Sequence, residues 1–149
     1  ILKTAEDITG DALMAFFGAP LPHDSRYGPS DPQRAVFSAI DLRDAFRRLR
    51  DKWWERHAEL ATLDLSIGIN TGLCLLGNMG SDKRVEYTAV GQAVNLAFGL
   101  CREAAPGEIR IGGETHADVR DEVSVGPIPP ERAGSEPGAQ LVLGLKYIS

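Results

Sequence analysis

The pattern of apolar and polar residues in the first half of the chain predicts a long amphipathic helix over residues 32–60. Its apolar positions recur at spacings of three and four, which places them on one helix face; they are Val36, Ala39, Leu42, Phe46, Leu49 and Trp53. Asp31 before Pro32 predicts the helix start, because an aspartate caps free N–H groups and proline lacks the N–H that a first turn leaves unpaired. The opposite face mixes Arg43, Arg47, Arg48, Arg50 and Lys52 with acidic residues and is interpreted as solvated surface, with Trp53 and Trp54 as core or interface aromatics.

Shorter segments predict strands around this helix. Residues 1–17 favour a hairpin that turns at Gly10 and Asp11, with its second strand over residues 12–17, and residues 19–31 favour a loop. Residues 63–76 predict two strands joined by a tight turn at residues 70–72, and residues 84–90 predict another strand. The rest of the chain predicts a helix from Gly91 to about residue 106, a strand over 108–112, a helix over 114–123, a surface loop over 125–140 and a final strand over 141–148.

The resulting order, β β α β β β α β α β, predicts an α+β fold. Strands that follow one another through short turns favour direct pairing, and the intervening helices favour packing against the sheet. We therefore expect a ferredoxin-like mixed or antiparallel sheet with its helices packed on one face.

Length and composition indicate one folded domain and narrow the range of partners. The 149 residues fit a single domain over residues 1–149. A net charge of −5 argues against a nucleic-acid partner and against contact with anionic membranes. Cys74 and Cys101 have no neighbouring cysteine or histidine at zinc-site spacing and are interpreted as reduced thiols. No apolar stretch reaches about 18 residues, and no signal peptide begins the chain, so we expect a cytoplasmic location.

Three segments are richer in small polar residues than a scaffold requires, and each is predicted to lie at a strand end. They are residues 9–11, 70–72 and 77–81, the last followed by Lys83 and Arg84. Glycines at such positions let backbone N–H groups approach an anion, and a carboxylate at a turn suits a hard cation. Taken singly, each segment is equally typical of an ordinary turn.

Taken together, the segments resemble the catalytic domain of class III adenylate and guanylate cyclases of the bacterial adenylate cyclase type. The strings GDALMAFFGAP and SIGINTGLCLLGNMGSDKRVEYTAVGQAVNLAFGL match segments of that family in spacing. The resemblance implies a nucleotide cyclase fold that converts ATP, or GTP, to a 3′,5′-cyclic nucleotide and pyrophosphate in intracellular signal transduction. It also implies two divalent cations, Mg²⁺ or Mn²⁺, and a site shared across a homodimer or a heterodimer.

The resemblance assigns roles to individual residues. Asp11 corresponds to a metal-binding aspartate, and Thr88 to the residue that contacts the purine edge. Asn95 corresponds to the asparagine that orients the ribose. Either Lys83 or Arg84 corresponds to a basic residue that holds the triphosphate. Each also has a plainer interpretation, such as a β-branched strand residue for Thr88 and a helix cap for Asn95.

Three departures from the family's pattern bear on activity. Gly99 stands where the resemblance implies an arginine that stabilises charge in the transition state, and Arg102 is an alternative source of that charge. Asp7 stands at the purine-selecting position, where a carboxylate accepts a hydrogen bond from guanine but cannot donate one to adenine. Because Thr88 favours ATP, the base preference stays open. The family's other metal aspartate lies upstream of the first residue given, so we expect a domain whose N-terminal part is missing.

Two hypotheses follow. The chain is either most of an active dimeric cyclase, or a catalytically weak or inactive cyclase-like domain that binds nucleotide or dimerises as a regulatory module. Gly99 and Asp7 motivate the second hypothesis.

Overall fold

The computed structural model describes residues 12–19, 24, 26, 28–54, 56–81, 84–134 and 136–146, without the side chains of residues 59, 60, 81 and 84–86. Three helices are present in this part of the chain, α1 (Asp31–Trp53), α2 (Gln92–Glu103) and α3 (Gly113–Val119). The strands are β1 (Ile67–Ile69), β2 (Leu75–Ser81), β3 (Arg84–Val90), β4 (Ile109–Ile111), β5 (Val123–Pro127) and β6 (Gln140–Leu145). No helix in the described ranges is long and apolar enough to cross a membrane.

The strands form a four-stranded sheet and a separate hairpin. The sheet has the order β1-β4-β6-β5, in which β1 and β4 are parallel and the other pairs antiparallel. Strands β2 and β3 pair antiparallel over their whole length. The predicted direct pairing of the two strands around residues 70–72 is therefore wrong, because β1 pairs with the distant β4 and β2 leaves that sheet to pair with β3.

The hydrophobic core lies between the four-stranded sheet and the helices α1 and α3. Its buried members are Val36, Ala39, Ile40, Ile109, Ile111, Val119, Val123 and Val142. Helix α2 packs against β1 at Gly68, where a Cβ would lie 2.3 Å from the Ala97 carbonyl oxygen. Because Ile67 and Ile69 pack against the core cluster and side chains alternate along a strand, α2 covers the other face. The mixed α+β class is confirmed. The expectation that the helices pack on one face does not hold for α2, because α1 and α3 lie on one face of the sheet and α2 covers the opposite one.

Val36 and Ala39 of the predicted apolar stripe are buried, but from Leu42 onward helix α1 turns different residues toward the core. Arg43 is buried, whereas Leu42, Leu49 and Trp53 are about half exposed. The arginines on the inner side donate hydrogen bonds to oxygen atoms; Arg47 Nε, for example, donates to Asp64 at 2.8 Å. The prediction of a solvated arginine face is wrong for Arg43, which is buried and donates to Asp44 at 3.3 Å. Arg47 and Arg50 are half-buried, because Asp64 and the carbonyls of Gly107 and Leu63 accept hydrogen bonds from their guanidinium groups while the stems pack inward.

Several element boundaries also differ from prediction. Helix α1 is capped by Ser30 rather than Asp31 and ends at Trp53, seven residues before the predicted end at Leu60. The cap is reciprocal, because Ser30 accepts from the Gln33 backbone and donates its own N–H to the Gln33 side chain. Strand β5 occupies the start of the predicted loop over residues 125–140. The predicted strand over residues 12–17 is reduced to a bridge at Ala12, and the turn before it lies outside the described residues.

Candidate active site

The β2–β3 hairpin holds Thr88 beside an open space. Thr88 is the register partner of Gly77, and directly paired residues present their side chains on the same face of a hairpin. A Cβ at Gly77 would meet no atom within 4 Å. Thr88 is half-buried, and within the described chain its hydroxyl has no hydrogen-bond partner. This hydroxyl is therefore available to a ligand as a donor or an acceptor.

Gly91 makes the turn from β3 into α2. Its φ of 149° favours glycine, and a Cβ there would lie 3.3 Å from the Leu73 carbonyl oxygen and the Cys74 Cα. Helix α2 begins directly after it, and the Asn95 N–H donates to the Gly91 carbonyl at 3.2 Å. The turn thus places Thr88 and Asn95 on either side of one short connection.

The outward face of α2 carries polar groups separated by a gap. Asn95, Phe98 and Arg102 are exposed and recur at helical spacing along this face. Gly99 lies between them, and a Cβ at that position would meet nothing within 4 Å. The side chains of Asn95 and Arg102 make no hydrogen bond or ion pair within the described ranges. These two polar side chains are therefore available to a ligand or a partner.

Helix α2 is held rigidly against the sheet behind this face. The backbones of β1 and α2 approach so closely at Gly68 that a side chain there would overlap the Ala97 carbonyl oxygen and the Cys101 N–H, both 2.3 Å from the Cβ position. The Cys101 thiol donates to the Ser66 carbonyl at 3.2 Å, and both cysteines are free. The Asn70 amide donates to the Ala93 carbonyl at 3.3 Å, which ties the first turn of α2 to the end of β1.

Four of the predicted site residues have no described side chain. Asp7, Asp11 and Lys83 lie outside the described residues, and Arg84 is described only as the first residue of β3. Among the described residues, no group of three or more His, Cys, Asp or Glu side chains could hold a metal ion. Asp11, the residue predicted to bind a cation, lies outside this part of the chain, so the predicted cation site is not among the described side chains.

Two of the three segments predicted at strand ends have structural roles in the described chain. Residues 70–72 do follow β1, but the Thr71 hydroxyl lies 2.9 Å from that of the buried Thr115 on α3 and the turn serves packing. The prediction is wrong for residues 77–81, which lie within β2, because every one of them pairs with a residue of β3. The Lys146 ammonium group donates to the Arg120 carbonyl.

Apolar side chains beside Thr88 are a feature that the sequence reasoning missed. Leu75 and Val90 are register partners on the Thr88 face, and they are 73% and 40% exposed. Leu73 is 98% exposed and Phe98 on α2 is 48% exposed. We call Leu73, Leu75, Val90 and Phe98 the apolar patch. The signal in the sequence was the run of apolar residues from Leu73 to Leu76, which is too continuous for a strand with one solvated face.

A buried arginine also escaped the sequence analysis. Arg110 lies between two buried isoleucines in β4 and is fully buried, with its Nη1 donating to the Arg132 carbonyl at 3.2 Å. Its guanidinium lies 3.5 Å from Glu108 and 3.8 Å from Glu103 at the end of α2. Arg132 also donates to Glu108 at 2.6 Å, and this hydrogen bond lowers the pKa of Glu108. The cluster fixes the C-terminal end of α2 to the sheet and to the loop around Arg132.

Comparison with known proteins shows which family the chain resembles. Residues 5–126 match the model of the adenylate and guanylate cyclase catalytic domain. The chain is 37% identical over 95 residues to an uncharacterized protein of Mycobacterium tuberculosis, spanning 64% of this chain and 15% of that protein. It is 33% identical over 97 residues to the terminal-differentiation specific adenylate cyclase of Dictyostelium discoideum, spanning 63% of this chain and 4% of that protein.

Solved structures share both the fold and part of the sequence. The adenylyl cyclase CyaB from P. aeruginosa superposes with a TM-score of 0.65 at 31% identity, over 85% of this chain and 64% of that one. The guanylyl cyclase Cya2 superposes with a TM-score of 0.70 at 30% identity, over 87% of this chain and 64% of that one. The chain thus spans just under two thirds of these cyclase structures. The chain belongs to the adenylate and guanylate cyclase catalytic domain family.

Proposed function

We propose that this chain cyclises a purine nucleoside triphosphate, ATP in the first instance, to its 3′,5′-cyclic monophosphate and pyrophosphate. The observation that most directly supports this proposal is a pair of polar side chains, Thr88 and Asn95. They flank the β3–α2 connection and make no hydrogen bond within the described chain. The adenylate cyclase of Dictyostelium and the adenylyl cyclase CyaB among its relatives support this substrate class. GTP is the alternative base, supported by the similarity to the guanylyl cyclase Cya2.

The reaction requires positioning more than it requires a reactive side chain. The ribose 3′-oxygen forms a bond to the α-phosphorus, the bond from that phosphorus to the bridging oxygen breaks, and pyrophosphate leaves while the 3′-hydroxyl loses its proton. In such a displacement the protein aligns the attacking and leaving oxygens and offsets the charge that develops on the phosphates.

Thr88 and Asn95 suit two parts of this alignment. The Thr88 hydroxyl both donates and accepts, so it can read the edge of a purine that lies in the space left by Gly77. The Asn95 amide also carries both kinds of group, so it can hold a ribose hydroxyl. A divalent cation, Mg²⁺ or Mn²⁺, bound through Asp11, would supply further positive charge to the phosphates.

We further propose that the substrate binds between two copies of this chain or between this chain and a related one. The apolar patch adjoins Thr88 and α2, and exposed apolar surface of this kind marks an interaction site. A second cyclase domain seated on the patch would enclose the nucleotide and exclude water from the phosphates.

A second function remains in competition because of Gly99. The outward face of α2 has open space at this position, where a cationic side chain would stabilise the charge that develops in the transition state. A domain that has lost this charge would still bind nucleotide and dimerise, and would then act as a regulatory module without turnover.

A turnover assay on the full-length protein distinguishes these two functions. Purified protein is incubated with Mn²⁺ and either ATP or GTP, and cyclic product is separated by chromatography. We expect cyclic AMP, and we expect Asn95→Ala to reduce its formation by about 10²-fold, the usual effect of removing one preorganised hydrogen-bonding group. Asp11→Ala is expected to abolish formation of the cyclic product with Mn²⁺, because the cation loses its proposed ligand.

Ser38→Ala is the matched control, since Ser38 is exposed on α1 and far from the candidate site in sequence. Nucleotide binding without any cyclic product would exclude the cyclase function and support the regulatory module. Production of cyclic GMP alone would overturn the choice of ATP.

A further inference from the structure

We infer that Arg102 is the residue of α2 that contacts the phosphates of the nucleotide, and that it reaches them across the gap at Gly99. The inference rests on the proposed function, because it names the cation of that same site. It goes beyond the resemblance to the family, which implies an arginine at position 99 and not at position 102.

The first argument is alignment along the helix. Arg102 follows Asn95 by seven residues, which in an α-helix is about two turns, some 10 Å along the axis and only about 20° around it. Both side chains are exposed. A ligand that lies along this face with its ribose at Asn95 therefore extends toward Arg102.

The second argument is the direction of the side chain. Side chains on a helix point back toward its N-terminus, so that each covers the turn before it. The Arg102 stem accordingly runs over Phe98 and Gly99. Because a Cβ at Gly99 would meet no atom within 4 Å, the guanidinium has an open route over Gly99 toward Asn95.

The third argument is the charge of α2. Arg102 is the single cationic side chain between Gln92 and Glu103, and Glu103 is the single anionic one. Glu103 lies 3.8 Å from the buried Arg110 on the sheet side of the helix. The carboxylate is thus engaged behind the helix and leaves the charge of Arg102, which makes no ion pair in the described ranges, for an external anion. A guanidinium suits a phosphate because its planar donors bind two oxygens at once.

An arginine in the last turn of a helix also stabilises the helix dipole, so the test must separate contact with phosphate from a structural role. Binding of adenosine and of a non-hydrolysable ATP analogue is measured by calorimetry for the wild type and Arg102→Ala. We expect at least a tenfold loss of affinity for the analogue, with adenosine bound equally by both proteins. A structural role would weaken both ligands together or neither, and either result would overturn the inference.

Turnover provides a second measurement. Arg102→Ala is expected to lower kcat by about 10²-fold, the usual effect of a lost charge-stabilising donor. Adding Gly99→Arg to Arg102→Ala is expected to recover at least tenfold, because the open space at Gly99 admits the new side chain. Arg48→Ala is the matched control, since Arg48 is exposed on α1.

The outcomes separate this inference from the proposed function. If the wild type makes cyclic product and Arg102→Ala behaves as Arg48→Ala does, the inference fails and the cyclase function stands. If the wild type makes no product but Arg102→Ala binds the ATP analogue more weakly than the wild type does, the phosphate contact is supported and turnover is excluded.

Discussion

At the scale of single residues, glycines decide how the site is built. Gly68 lets the backbone of α2 approach β1, whereas Gly77 and Gly99 leave space beside Thr88 and Asn95. The same residue type therefore serves close packing at one position and an open surface at two others. A methyl group added at each position distinguishes these roles.

We predict opposite effects on stability for two glycine substitutions. Gly68→Ala would place a Cβ 2.3 Å from the Ala97 carbonyl oxygen, and we expect a loss of about 1–3 kcal/mol, typical of overpacking. Gly99→Ala meets open space inside a helix, where alanine is favoured by about 1 kcal/mol. Urea unfolding measures both. Equal stability of the two variants would contradict the close approach of α2 to the sheet.

A pH dependence follows from the hydrogen bond between Glu108 and Arg132. This bond lowers the pKa of Glu108 in the folded protein, so it stabilises the fold above the ordinary carboxyl pKa of about 4.3. The contribution disappears as the pH falls through the lowered pKa. We expect Glu108→Gln to reduce stability at neutral pH and the difference from wild type to shrink on acidification.

Chemical unfolding at a series of pH values measures that difference. Asp41→Asn is the control, because Asp41 is exposed on α1. A Glu108→Gln effect that stays constant down to pH values well below the ordinary carboxyl pKa would contradict the linkage.

At the scale of elements, the start of α1 shows how a local motif connects to the fold. The Ser30 hydroxyl accepts from the Gln33 N–H at 3.4 Å, and the Gln33 side chain also donates to Glu122 just before β5 at 2.7 Å. The cap thus connects the start of α1 to the residue just before β5. Ser30 is a better acceptor here than the predicted Asp31, which instead pairs with Arg34 at 2.9 Å.

Removal of this cap is expected to destabilise α1. Ser30→Ala should cost about 1 kcal/mol, because the first-turn N–H groups lose their side-chain acceptor. Ser38→Ala, in the middle of the same helix and exposed, should be neutral or slightly stabilising, since alanine favours helix. Thermal unfolding followed by circular dichroism compares the two. A loss of stability with Ser38→Ala and none with Ser30→Ala would contradict the cap.

At the scale of the whole molecule, the apolar patch is the main exposed apolar feature beside the candidate site. Four large apolar side chains lie beside the candidate site, and Leu73 and Leu75 are the most exposed large hydrophobic residues in the described chain. The hydrophobic core lies elsewhere, between the four-stranded sheet and the helices α1 and α3. Association with a second domain is therefore the role proposed for the patch.

Substitution within the patch should weaken association without unfolding the chain. Because Leu75 is 73% exposed, Leu75→Asp removes little packing from a single copy. It should weaken self-association roughly tenfold or more, as expected when a leucine burial is lost, and should reduce turnover accordingly. Leu63→Asp, at a residue 51% exposed after α1, is the control. Sedimentation velocity that shows the same oligomer for both variants would exclude the patch as the interface.

The sequence by itself determined the class of the fold, the family and the order of the central elements. Helix α2 after Gly91 and strand β3 before it follow from local spacing, which neighbouring residues suffice to specify. The strings around Thr88 and Asn95 carried the resemblance for the same reason. These features depend on contacts close in the chain, so the printed residues contain them.

The tertiary structure decided which faces meet. Strand β1 pairs with β4 rather than with its neighbour β2, and α1 buries Arg43 while Leu49 stays exposed. Such choices depend on partners far away in the chain, including Asp64 for Arg47 and the backbone of α2 for Gly68. The open spaces at Gly77 and Gly99 are likewise absent from any local pattern, because space around a residue is set by everything that packs near it.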